Sequence, residues 1–114
     1  MQVLVSSKNF SVTKALRAYT KEQAEKVLRM SEHVIKIRVF LESIEKLNND
    51  PKANRAKVVV EIPGNDILVE KRAVDMYEAV LKAFEVAQRH VRKHHEKLQT
   101  KRRQGKKEIE SMEF

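Results

Sequence analysis

Residues 75–98, DMYEAVLKAFEVAQRHVRKHHEKL, set the frame for the rest of the chain. Apolar side chains recur at Met76, Ala79, Val80, Ala83, Phe84, Ala87, Val91 and Leu98. Steps of three and four residues keep one stripe of a helix apolar and broad enough to pack on a sheet. Asp75 stands just ahead of that stripe. There its carboxylate can accept backbone N–H groups and meet the positive end of the helix dipole. At about 100° per residue, Lys82, Arg89 and Lys93 fall on the opposite face, with Arg92 and Lys97 flanking it. The segment therefore has one side to bury and one to offer an anion. A charged face is more often merely solvated, so its weight depends on how charge is distributed elsewhere.

That distribution is uneven. Between Gln88 and Lys107 lie Arg89, Arg92, Lys93, Lys97, Lys101, Arg102, Arg103, Lys106 and Lys107, against Glu96 alone. The surplus equals the whole formal net charge of +8, and the remaining basic and acidic residues cancel. The last helix and its extension thus form a localised positive field suited to a polyanion.

Upstream, Gln2–Ser7 reads as a short strand with Val3 and Val5 on one face, followed by a loop to Phe10. Thr13 is an N-cap for a first helix, Thr13–Met30, with Leu16, Tyr19, Thr20, Gln23, Val27 and Met30 on one stripe. Lys14, Arg17 and Lys21 share another face of that helix. Glu22 and Glu25 temper this patch and can pair with Lys26 and Arg29 at i,i+4. His33–Ser43 alternates, with Ile35, Ile37, Val39 and Leu41 facing one way and Lys36, Arg38, Phe40 and Glu42 the other, a half-buried strand. A polar loop, Ile44–Ala53, contains Asn48-Asn49-Asp50-Pro51. Arg55–Ile62 is the next strand, Pro63-Gly64-Asn65-Asp66 a tight reversal, and Ile67–Arg72 a further strand.

The order β-α-β-β-β-α predicts an α+β fold. A right-handed β-α-β crossover makes the first strand pair parallel. Two hairpins make the other pairs antiparallel, and both helices cover one face of a four-stranded mixed sheet. The layout resembles that of double-stranded-RNA-binding domains. The other sheet face, with Lys36, Arg38, Lys57, Glu61, Glu70 and Arg72, meets water. Residues 1–98 form the domain. Residues 99–114 lose the periodicity and read as a charged extension, partly disordered when free, with the helix running to about Arg103.

A chain of 114 residues is one domain by size. The sequence has no apolar run long enough to span a bilayer and no signal-peptide pattern at its start. Without cysteine there is no disulfide framework or thiolate chemistry, in keeping with a cytoplasmic setting. Two glycines, Gly64 and Gly105, cannot write a phosphate-binding glycine loop. His90 and His94 share a helix face but lack a third ligand, and the string begun by His95-Glu96 ends on Gln99 where a zinc protease needs histidine. No nucleophile–base set or paired carboxylates stand out. The expectation is a non-enzyme without metal or cofactor.

Three segments carry a resemblance to a known family. These are Thr13-Lys14-Ala15-Leu16-Arg17, Asp75-Met76-Tyr77-Glu78-Ala79-Val80, and Arg92-Lys93-His94-His95-Glu96-Lys97-Leu98. In this order and spacing the chain resembles the ribosome hibernation promoting factor and ribosome-associated inhibitor A family over about Met1–Leu98. After Ala79-Val80 the family usually has an acidic residue, where this chain has Leu81 and Lys82. The family's long form has a second, dimerising domain, and this chain looks like the short form. The resemblance implies a stress factor that binds the small ribosomal subunit in the channel of messenger and transfer RNA. It implies inhibition of translation by occupancy, with the basic faces of both helices on ribosomal RNA.

The phosphate-contact candidates are therefore Lys82, Arg89, Arg92, Lys93 and Lys97 on the second helix, and Lys14, Arg17 and Lys21 on the first. Lys101, Arg102 and Arg103 add sequence-independent attraction. Arg grips phosphate in a bidentate way and Lys acts as a point charge. Few aromatics are present and none is paired on a strand, so shape and backbone of folded RNA are the expected readout. The expected partner is ribosomal RNA of the small subunit, with ribosomal proteins as further contacts, and the free protein is expected to be a monomer. The alternatives are a general double-stranded RNA binding module and a scaffold for an acidic protein.

Overall fold

The computed structural model describes the backbone of residues 2–44 and 52–112 and the side chains of residues 3–44 and 52–97. Its elements are β1 (Gln2–Lys8), α1 (Lys14–Met30), β2 (Lys36–Ser43), β3 (Asn54–Ile62), β4 (Asn65–Ala73) and α2 (Met76–Met112). The Asn48-Asn49-Asp50-Pro51 loop lies outside the described residues.

The strands lie in chain order in one sheet. β1 runs parallel to β2, with Val3 opposite Ile37 and Val5 opposite Val39. Parallel neighbours need a crossover, and α1 supplies it. β2, β3 and β4 pair antiparallel. The β3–β4 reversal is tight, since Ile62 pairs with Asn65. Gly64 sits there at φ +84°, which a side chain would oppose.

Register decides the two faces. Ile37, Val39 and Leu41 of β2, Ala56, Val58, Val60 and Ile62 of β3, and Val69 of β4 are buried on the inner face. Both helices cover that face. α2 packs over β3 and β4, with α1 beside it. The apolar stripe of α2 is buried from Met76 through Val91, and Phe84 is its largest fully buried side chain. From α1, Leu16, Thr20, Gln23, Ala24 and Val27 are buried. Thr13 caps α1 by accepting the Leu16 amide (3.1 Å), and Asp75 Oδ1 accepts the Tyr77 amide at the start of α2 (3.4 Å).

Three details depart from the sequence reading. β2 begins at Lys36; the Ile35 amide donates to the Glu61 carbonyl (2.8 Å), yet its side chain does not turn inward and is 59% exposed. Val34 is buried in its stead. Val59 lies on the outward side of β3, yet it is 4% exposed. It stands in one cross-strand row between Arg38 and Leu68, whose side chains are long enough to cover it. Finally, α2 continues as helix past Arg103 to Met112, giving the molecule extents of 68 × 26 × 18 Å.

Candidate nucleic-acid interface

The basic residues of α2 emerge where burial stops. Arg89, Arg92, Lys93 and Lys97 are exposed, Arg89 and Lys93 on the side of the helix away from Ala83, Ala87 and Val91 and Arg92 and Lys97 flanking it. None of the four has a carboxylate within ion-pair distance among the described residues. Each can therefore turn its donors to an incoming anion without first breaking a pair. Lys82 differs. Its Nζ lies 3.0 Å from Glu78 Oε1, one helical turn earlier, and each side chain is about half exposed. This pair offsets the charge of Lys82 and sets it apart from the stripe to which its spacing assigned it. Lys101, Arg102 and Arg103 fall within the helical span of α2, but their side chains lie outside the described residues.

On α1, Lys14, Arg17 and Lys21 are exposed. They do not continue the α2 stripe. Arg17 and Lys21 line a groove with Val3, Leu4, Val5 and Ser6, along the edge of β1 remote from the other strands. The flank of α1 nearer α2 carries Tyr19, whose ring lies 5.2 Å from that of Tyr77 between centroids. Burial, then the charges of Glu22, Glu85 and Asp75, push the Tyr19 hydroxyl above its ordinary pKa of 10.0. An aromatic and acidic strip therefore separates the two basic clusters. Of the pairs expected on α1, Glu25–Arg29 forms (3.6 Å), whereas Glu22 contributes to the field at Tyr19 instead.

The outer sheet face also carries cations, and sequence reasoning nominated none of them. Most are held by carboxylates. Arg38 Nε lies 3.1 Å from Glu61 Oε1, as an ion pair and not an aligned hydrogen bond. Glu70 Oε1 lies 3.7 Å from Arg55 and 3.5 Å from Arg72, and Lys8 lies 3.9 Å from Glu42. Lys57 instead places its ammonium 5.8 Å from the ring centroid of Phe40.

The closest histidine rings are those of His33 and His95, 6.5 Å apart between centroids, and not the His90–His94 pair suggested by spacing. No group of three or more metal-ligating side chains occurs among the described residues. Among the same residues, no helix is long and apolar enough to cross a membrane.

Comparison with known proteins places this architecture. A family profile described as "Sigma 54 modulation protein / S30EA ribosomal protein" matches residues 3–99. The chain is 31% identical over 104 residues to the ribosome hibernation promotion factor of Deinococcus radiodurans, an alignment covering 91% of this chain and 54% of that protein. The chain thus spans about half the length of that relative. It is 28% identical over 111 residues to the ribosome hibernation promoting factor of Azotobacter vinelandii, covering 97% of each. A ribosomal subunit interface protein from Coxiella burnetii has the same fold, with a TM-score of 0.68 at 19% identity, covering 83% of this chain and 98% of that one.

Proposed function

This chain belongs to the sigma 54 modulation protein / S30EA ribosomal protein family, and from that premise we propose that it binds the small ribosomal subunit and holds ribosomes inactive. The binding place is the channel for messenger RNA and the anticodon ends of transfer RNA. Inhibition follows from occupancy, so no bond is made or broken and no cofactor is needed. The partner is ribosomal RNA, contacted through its phosphates, and the protein acts as a monomer in the cytoplasm. The observation that carries this reading is the row of exposed cations at Arg89, Arg92, Lys93 and Lys97, none with a carboxylate in ion-pair range among the described residues. Lys14, Arg17 and Lys21 form a second contact, and Lys101, Arg102 and Arg103 extend the first. Lys82 contributes least, because Glu78 holds it. The extension from residue 99 onward adds attraction.

The test is sedimentation of purified small subunits with the protein across a salt series. Each phosphate neutralised adds roughly 0.7–0.9 to the slope of log affinity against log salt. Arg89→Glu with Lys93→Glu should abolish co-sedimentation while leaving the thermal midpoint unchanged. Full occupancy by that variant would remove the α2 face from the contact. Free duplex RNA at the same salt is the control. Equal affinity for duplex and subunit would favour a general double-stranded RNA binder. In the same gradient, a dimer peak or its absence reads whether inactive ribosomes are paired or single.

A further inference from the structure

Phe40 is aromatic, 37% exposed and on the outer face of the sheet. Its cross-strand neighbours are Ser6 and Lys57. Ser6 is too small to cover the ring, which leaves hollows to either side of it. One, of about 330 Å³, is lined by Ser6, Ser7, Phe40, Arg55 and Lys57, among others. The other, of about 320 Å³, turns over the free edge of β1, where Arg17 and Lys21 join Arg38 and Phe40. Volumes of ~300 Å³ and above accommodate small ligands. Arg38 and Arg55 are paired with Glu61 and Glu70. Arg17, Lys21 and Lys57 have no carboxylate within ion-pair distance among the described residues; Lys57 lies over one face of the ring, and Arg17 and Lys21 line the second hollow with it.

We propose that this groove binds single-stranded RNA, with one unpaired base stacked on Phe40 and the flanking phosphates on Lys57 and on Arg17 with Lys21. A flat apolar ring beside unpaired cations is what an unpaired nucleotide needs. The ring takes the base face, and the cations track the backbone to either side. A duplex keeps its base faces stacked inside, so it cannot use Phe40. An acidic peptide would use the cations but offers no flat ring to stack on Phe40. The groove and the α2 stripe are separated by the strip at Tyr19 and Tyr77. One molecule can therefore hold folded RNA along α2 and a loose strand across β1 and β2.

The probe is a fluorescent oligoadenylate about 12 nucleotides long, inside the ~4–16-nucleotide range of single-strand sites. It is titrated by anisotropy alone and annealed to its complement. Phe40→Ala should weaken single-strand binding about tenfold, the loss of one stacked base, and leave duplex binding unchanged. Phe40→Trp should restore it, which a merely structural defect would not allow. Lys57→Gln should weaken the single strand several-fold. Three results would overturn the assignment: a Phe40→Ala effect under twofold, an equal loss on duplex, or no recovery with tryptophan. The measurement uses no ribosome, so its failure leaves the small-subunit reading standing. Failure of the Arg89/Lys93 variant on ribosomes likewise leaves this groove untouched.

Discussion

The outer face of the sheet and the second half of α2 both carry several cations, yet they are electrostatically different surfaces. On the sheet, Arg38 answers Glu61, Arg55 and Arg72 share Glu70, and Lys8 faces Glu42. On α2, Arg89, Arg92, Lys93 and Lys97 project with no carboxylate in ion-pair range among the described residues. The cause is geometric. Cross-strand neighbours on a sheet lie within reach of one another, so mixed charges on one face pair off. On a helix only positions three or four apart meet, and from Arg89 to Lys97 only Glu96 is acidic. A count of lysines and arginines thus says little about the field outside the molecule. What matters is which of them are left unmatched.

The strongest way to break this comparison is to make the same formal charge change on each surface. Reversing Arg89 and Lys93 should weaken small-subunit binding at least about 100-fold, since each charge-assisted contact is worth ~1.5–3 kcal/mol, with no loss of stability. Reversing Arg38 and Arg72 should do the opposite. Glu61 and Glu70 would then face like charges, lowering stability by about 1 kcal/mol, a small effect because these groups are partly exposed. That corresponds to a drop of roughly 4–8 °C in thermal midpoint, with small-subunit affinity changed only a few-fold. If both variants lost binding equally, net charge and not unpaired display would govern association.

Most of this architecture could be read in the sequence, and the failures share a cause. The α2 stripe and the alternation in β2 and β3 gave the element order, the parallel crossover and the buried face, because burial imposes its period on the residues. Ile35 departs from the pattern because alternation shows a strand's period and not the residue at which that period starts: β2 begins at Lys36. The matching of Arg55 with Glu70 depends on β3–β4 register, which no local pattern carries. The Glu78–Lys82 pair lies at i,i+4 and was open to reading. Helical angle alone groups Lys82 with Arg89 and Lys93 and is blind to that pair. The groove proposed at Phe40 leaves a faint trace, one aromatic on the polar side of an alternating strand, whose surroundings only the fold assembles.

A gentler change sharpens the comparison within α2 itself. Lys82 lies on the same side as Arg89 and Lys93 but is held by Glu78 (3.0 Å). Glu78→Gln removes the restraint without adding a positive residue. Small-subunit affinity at low salt should then rise about two- to threefold, the scale of one exposed pair released toward a phosphate. Lys82→Gln should change affinity by less than that. A Lys82→Gln loss as large as that of Arg89→Gln would mean that the pair opens freely in the complex and that pairing is no guide to contact.

The smallest expected effect concerns the strip between the two basic clusters. Tyr19 and Tyr77 are the chain's two tyrosines, so Tyr77→Phe leaves Tyr19 as the sole phenol in an absorbance titration. Burial first, then Glu22, Glu85 and Asp75, raise its pKa above 10.0. The sign follows from linkage. Below pH 10.0 the phenol is neutral whether the chain is folded or not, and its contribution to stability is complete. As pH rises from there toward the folded pKa, only the unfolded chain sheds the proton, and the contribution is lost. Glu85→Gln removes one of the opposing charges, so the titration midpoint should fall and the alkaline loss of stability should be smaller and complete at lower pH. The same substitution takes a negative charge from between the two basic surfaces proposed to bind RNA, so affinity for duplex RNA at low salt should rise slightly. If the midpoint falls but that affinity stays fixed, the strip merely borders the basic clusters; if both move, its carboxylates help keep the two basic surfaces distinct.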